Sequence, residues 1–534
     1  MQNMITNIDA RTLKAWLQDG GELALIDVQE AGQFGEGHLF LATSVPYSRL
    51  EADIERLAPR KGVRLVICDD GISAVAERGA KRAAALGYSD IYVLAGGTQA
   101  WKAAGYVIYK GVNVPSKTFG ELLDETSPTP SVTAKELQRM KDAGEPLIQL
   151  DGRPWAEYRK MSIPGAACCP NGELPLRVLE LAKNPSLPVI VNCAGRTRSI
   201  LGAQTLMAMG LPNPVYALED GTQGWTLAGY TLDRGASRQY DPLPNEQELA
   251  QLQRHTAALM HRHGIAAVTA QQVQSWLDDV SRSTYLLDVR TAEEYAAGHV
   301  PGSLHAPGGQ LVQATDQWVG VRNARIVLID GLIGDKREQV RAPMIASWLK
   351  QMGHDASVLA GSAGDLRGAS HANKADDVLP RLRSLTPADA ASMQKDGALV
   401  IDLRASMQYR RGHIPGSVWS IRPHIAVYAR LEKPIVLLAD EEVIMFSAAV
   451  DLLEAGWKDM ATLEGGFSAW EAAGLQVVAT PAHPPDGDCI DYLFFVHDRH
   501  AGNRESMRAY LAWEHQLVGQ MDEQERAVFA RLQT

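Results

Sequence analysis

Four short apolar runs along this chain reach an aspartate in the same way: Leu25-Ile26-Asp27-Val28-Gln29, Gln149-Leu150-Asp151-Gly152-Arg153, Leu286-Leu287-Asp288-Val289-Arg290 and Val400-Ile401-Asp402-Leu403-Arg404. Each comes after a capped helical start, at Asp9, at Thr133 with Glu136 as a capping box, at Thr269, and at Thr386 with Pro387 in the first helical position. Each leads to a turn, complete as Gly298-His299-Val300-Pro301-Gly302 and Gly412-His413-Ile414-Pro415-Gly416, and reduced to Ile163-Pro164-Gly165 and Gly37-His38-Leu39 in the second and first copies. A second apolar run comes next, then glycines before a tryptophan: Gly96-Gly97 with Trp101, Gly221 with Trp225, Gly465-Gly466 with Trp470. The third copy keeps Gly361 and loses the tryptophan. Strands alternating with helical runs, at a period of roughly 110 residues, predict an α/β unit with a central, mostly parallel sheet flanked by helices, repeated four times. At 534 residues the chain is too long for one core, in keeping with that repetition.

The second apolar runs are Arg64 to Asp69, Pro188 to Cys193, Arg325 to Asp330 and Pro434 to Asp440. Counting along them puts Cys193 in one column with Asp69, Asp330 and Asp440; counting back from Gly87 puts Asp70 there instead of Asp69, with Cys68 just ahead. Most cysteines at strand ends are inert buried hydrophobes. Cys193 is set apart by its neighbours: Ala194-Gly195-Arg196-Thr197-Arg198-Ser199, then an apolar helical spacing through Leu201, Leu206 and Met209. A sulfur so placed faces unpaired N–H groups, the positive end of a helix dipole and two guanidinium groups, all of which favour thiolate over thiol. A carboxylate in that column cannot serve as a sulfur nucleophile, so the other three copies are expected to be catalytically silent. The third is longer between Asp330 and Gly353 than the second between Cys193 and Gly210, which predicts a remodelled loop, and Asp440-Glu441-Glu442 in the fourth would repel an anion.

The net charge of -11 argues against nucleic acid or an anionic membrane as partner. No apolar run approaches the roughly 20 residues that span a bilayer, and Met1 to Thr6 shows no signal-peptide pattern, so the expected location is the cytoplasm. Five cysteines without a CxxC pair predict reduced thiols and no structural zinc. Cys168-Cys169 reads as core.

Together, Asp-Val-Arg at a strand end, Gly-His-Ile-Pro-Gly, the cysteine loop and Leu463-Glu464-Gly465-Gly466 before Trp470 resemble the rhodanese domain of the sulfurtransferase family, across residues 5 to 480. The resemblance implies four tandem rhodanese-like domains, at 1–112, 128–235, 264–375 and 380–480, with 481–534 as a C-terminal extension. It implies that Cys193 takes a sulfane sulfur from a small anionic donor, holds it as a persulfide and passes it to cyanide or a thiol, with no cofactor or metal. Ala194, Gly195, Arg196, Thr197, Arg198 and Ser199 are the candidates to hold the donor's charge. Arg153, at the family's Asp-x-Arg position, is a further pocket candidate, with a salt bridge to a neighbouring repeat as the alternative.

The loop lacks the glycine and hydroxyl pattern of the family's mercaptopyruvate branch, which favours thiosulfate; it also departs from the Cys-Arg-Lys-Gly type, which leaves the acceptor open. Mercaptopyruvate or another persulfide donor remains an alternative. Related phosphatases place an arginine six residues past the cysteine, where this chain has Ser199. An interaction scaffold built from the silent repeats is the remaining class.

The proline-bearing stretches Asn113 to Pro130 and Arg234 to His263 read as linkers, the longer one turning helical through Leu249, Leu252 and Leu259 and bridging two halves, each a consecutive pair of repeats. The extension opens with Pro481, Pro484 and Pro485, passes a strand-like Asp491 to Val496 and then His497-Asp498-Arg499-His500, a cluster more apt to cap or pair than to bind metal. A helix carrying Tyr510, Leu511, Trp513 and Leu517 is expected to pack on the repeats.

Overall fold

The structure is a computed structural model that describes residues 5–331, 339–361, 366–368 and 375–533. Residues 332–338, most of the stretch on which a remodelled third loop was expected, lie outside the described residues.

Within each repeat the strands pair in parallel in one order. In the second repeat, Ser131–Val132 lies at one edge, followed by Val215–Leu218, Val189–Asn192, Ile148–Asp151 and Ala167–Cys168. The third repeats this order with Ala267–Val268, Asp355–Leu359, Arg325–Ile329, Thr284–Asp288 and Leu304–His305. The first and fourth do the same, with Leu65–Cys68 and Ile435–Leu438 as their central strands. The central strands are buried on both faces, which is why they read as continuous apolar text.

The repeats do not pair in chain order. One compact unit joins the first repeat to the fourth and the other joins the second to the third, which corrects the expectation of two consecutive halves. Buried charge carries the first pairing. Arg422, fully enclosed, reaches the Tyr47 carbonyl at 3.0 Å, the Glu51 carboxylate and Asp451. In the other unit Arg341, 1% exposed, binds Asp330 of its own repeat and Glu173 of the second. Gly172 and Gly309 there approach backbone to backbone, and a Cβ on Gly172 would stand 2.8 Å from the Gly309 nitrogen.

Both linker stretches contain helices, unexpected in the first and expected in the second. Asn113 to Pro130 holds a largely buried one, Val114–Thr126, with Pro115 in its first turn. Arg234 to His263 holds Glu246–Arg262, capped by Asn245 and packed on the Arg341–Gln351 helix, so it joins two repeats of a single unit. In the extension, the segment read as a strand is a turn followed by a short helix, Phe494–Asp498. The helix Arg504–Gln520 then packs on Val114–Thr126. Among the described residues no helix is long and apolar enough to cross a membrane.

Candidate active site

Strand register fixes the cysteine column. Asp151 stands opposite Asn192, and its counterparts Asp27, Asp288 and Asp402 stand opposite Cys68, Ile329 and Leu438. The next residue in each run is Cys193, Asp69, Asp330 or Ala439. The fourth repeat therefore has alanine in the column, and Asp440 lies one place beyond, a correction to the count from the acidic run end. The closing glycines agree: Gly97, Gly221 and Gly466, all at positive φ, lie against the carbonyls of Asp69, Cys193 and Ala439. A side chain there would strike that carbonyl.

Cys193 ends a fully buried strand and is itself 2% exposed. Ala194, Gly195 and Arg196 turn the chain, and the helix Thr197–Ala208 begins. Two anchors hold the turn. The Thr222 N–H donates to the Cys193 carbonyl at 2.8 Å, and Gln223 donates to the Ala194 carbonyl from its backbone at 3.2 Å and its side chain at 3.0 Å. The Ser199 hydroxyl donates to the Cys193 sulfur at 3.2 Å. Among the described residues no hydrogen bond engages the N–H groups of Ala194 to Arg198, which leaves a row of unpaired donors along the turn that follows Cys193.

The first and third repeats show what such a cradle holds. Asp330 accepts from the N–H groups of Val340, Arg341 and Ala342 at 3.0, 2.6 and 3.0 Å and from the Arg341 guanidinium. Asp69 accepts from Gly71 at 2.8 Å and Ala76 at 3.0 Å. In both, the carboxylate of the cysteine column accepts from N–H groups at or before the start of the following helix.

Both loop arginines are engaged by carboxylates. Arg196 donates to Glu121 at 2.9 Å and pairs with Asp124 at 3.3 Å, both on the Val114–Thr126 helix. Arg198 grips Glu157 with two bonds of 2.8 Å and reaches Gln310 of the third repeat at 3.3 Å. Burial alone would lift the Glu157 carboxyl, but the Arg198 charge and hydrogen bonds bring it down to about 2. The expectation that these guanidinium groups are open to a donor's charge is not what the structure shows. Sequence reading missed Glu121, Asp124, Glu157 and Gln223.

Arg153, 1% exposed, is a strut of its own repeat. It binds Asp151 through two hydrogen bonds, at 2.9 and 2.6 Å, and the Met161 carbonyl at 2.7 Å. Arg290 and Arg404 make the same bonds in repeats that lack the cysteine. Gln29 substitutes in the first. This is neither a pocket contact nor a bridge to a neighbouring repeat.

The other thiols are poor nucleophiles. Cys68 is fully buried, and burial with the nearby Asp27 and Asp69 charges pushes its thiol well up. Burial pushes Cys168 and Cys169 up to about 12. In the extension, burial lowers His500 to about 3, Arg499 lies over the Tyr510 ring at 3.4 Å, and no metal-binding group occurs among the described residues.

Comparison with known proteins places this architecture. The rhodanese-like domain family matches at residues 9–104, 133–228, 269–366 and 386–473, so the chain belongs to that family and carries its domain four times. A crystal structure of thiosulfate sulfurtransferase from Pseudomonas aeruginosa is similar over 97% of this chain and 98% of its own, at 40% identity and a TM-score of 0.88. Thiosulfate sulfurtransferase GlpE of Pseudoalteromonas translucida is 33% identical over 84 residues, 15% of this chain and 80% of its own. GlpE of Pseudomonas savastanoi is 30% identical over 97 residues, 18% of this chain and 92% of its own.

Proposed function

We propose that the protein is a cytoplasmic thiosulfate sulfurtransferase with one working site, the second repeat. The carrying observation is the open cradle at Cys193, matched in the first and third repeats by cradles that a carboxylate fills. The Cys193 thiolate attacks the outer sulfur of thiosulfate; the S–S bond breaks, sulfite leaves with the electron pair, and Cys193 carries a persulfide. The N–H groups of Ala194 to Arg198 and the helix dipole stabilise the charge on the terminal sulfur. Cyanide or a thiolate then takes that sulfur and the Cys193 thiolate returns. Arg196 and Arg198, each held by carboxylates, act by shaping the loop. The Glu157 grip on Arg198 also disfavours a phosphatase, which needs a free guanidinium for its phosphate.

Intact mass after incubation with thiosulfate tests this reading. The native chain is expected to gain one sulfur atom and to form thiocyanate from cyanide, and Cys193→Ser to do neither. A mutant that still gains sulfur, or a native chain that gains none, overturns it.

A further inference from the structure

The C-terminal helix Arg504–Gln520 lies over the cysteine loop. A Cβ placed on Gly195 would meet Glu514 Oε2 at 2.8 Å, Gln223 Nε2 at 3.4 Å and the Tyr510 ring at 3.5 Å. Glu514 is 2% exposed. Its Oε1 accepts from the Tyr510 hydroxyl at 3.0 Å and lies 3.6 Å from Lys117 Nζ. Its Oε2 is buried with no hydrogen-bond partner, as are Gln223 Oε1, Asp220 Oδ1 and the Thr197 hydroxyl. An unpaired buried acceptor is costly, and more so when it is charged. Several gathered at one loop point to a ligand that brings donors.

The loop thus has two unlike sets of groups. Unpaired backbone N–H groups line the turn after Cys193, while Glu514 and Gln223 beside Gly195 offer acceptors, and Arg196 and Arg198 are already paired. We propose that Glu514 is a specificity-determining residue that selects an acceptor thiol bearing an ammonium group, an aminothiol. The inference rests on the Cys193 persulfide. The aminothiol's thiolate attacks the terminal persulfide sulfur, the S–S bond to Cys193 breaks, and the electron pair returns to Cys193 as thiolate. The aminothiol leaves as its persulfide. Its ammonium donates to Glu514 Oε2 beside the loop.

The test loads the native chain and Glu514→Gln with thiosulfate and follows sulfur loss by intact mass. The acceptors are cysteamine and 2-mercaptoethanol at matched thiolate concentration, two thiols of one size that differ in an ammonium. The native chain is expected to favour cysteamine by about tenfold or more, the scale of one charged hydrogen bond. Glu514→Gln, still loaded, is expected to bring the ratio near one. A native ratio near one, or a native-like ratio in Glu514→Gln, overturns the inference while leaving the persulfide intact. A native chain that takes up no sulfur overturns the persulfide reading, and this one with it. Should Glu514→Gln fail to fold, Glu514→Asp draws the carboxylate back by one methylene: a reduced ratio supports the assignment and an unchanged one overturns it.

Discussion

The Ser199 hydroxyl donates to the Cys193 sulfur at 3.2 Å from the first turn of the helix that the cysteine loop enters. A hydroxyl donor stabilises thiolate more than thiol, because the charged sulfur is the stronger acceptor. Ser199→Ala is therefore expected to slow alkylation of Cys193 at pH 7 by about tenfold, the scale of one hydrogen bond to a charge. The rate of iodoacetamide modification, read by mass for the native chain and the variant, checks this.

If Arg153 is a strut, its loss must cost the fold as much as loss of its counterpart in a repeat without a cysteine. Arg153→Met and Arg290→Met each leave a buried aspartate, Asp151 or Asp288, without its guanidinium. Each is expected to destabilise its repeat by about 3–5 kcal/mol. Thermal melts should show comparable losses, and Arg290→Met should still load sulfur.

Glu121 is mostly buried and holds Arg196 through Nε. Glu121→Gln removes that charge and leaves the guanidinium its ion pair with Asp124 and the nearby Asp220 charge. A partly released cation beside an anion site is expected to lower the KM for thiosulfate by about threefold to tenfold, in the range of an ion pair at a partly solvated site. Initial rates against thiosulfate concentration give the answer, with kcat the control.

Glu157 carries a pH dependence. Its folded pKa, about 2, lies below the ordinary glutamate value, so its contribution to stability is present above about pH 4.3 and is lost as pH falls through 2. The native chain should lose melting temperature over that window more steeply than Glu157→Gln. Parallel curves for the two would contradict the assignment.

The repeats were legible because each unit writes its own signals locally: a cap, an apolar run to aspartate, a turn. Their shared strand order reflects those shared signals. The cysteine column was misread in the fourth repeat because the count ran to the acidic residue; counting five residues from Pro188 and from Pro434 reaches Cys193 and Ala439. Asn113 to Pro130 was read as linker on its prolines, although Pro115 in a first turn followed by Phe119, Leu122 and Leu123 is a helix pattern. The partners Glu121, Glu157 and Glu514 had no such signal. They meet the loop from 75, 41 and more than 300 residues away, and nothing local in a sequence records what a charge will face across a fold.

The pairing of first repeat with fourth and second with third gives the chain a nested order, like brackets closing. On a ribosome the inner pair has both its partners while the outer pair still waits for Arg422 to reach Glu51. The stretch that covers the Cys193 loop, Tyr510 to Glu514, emerges later still. A nascent chain therefore carries the Cys193 loop uncovered for more than 300 residues of synthesis, until Tyr510 to Glu514 arrive.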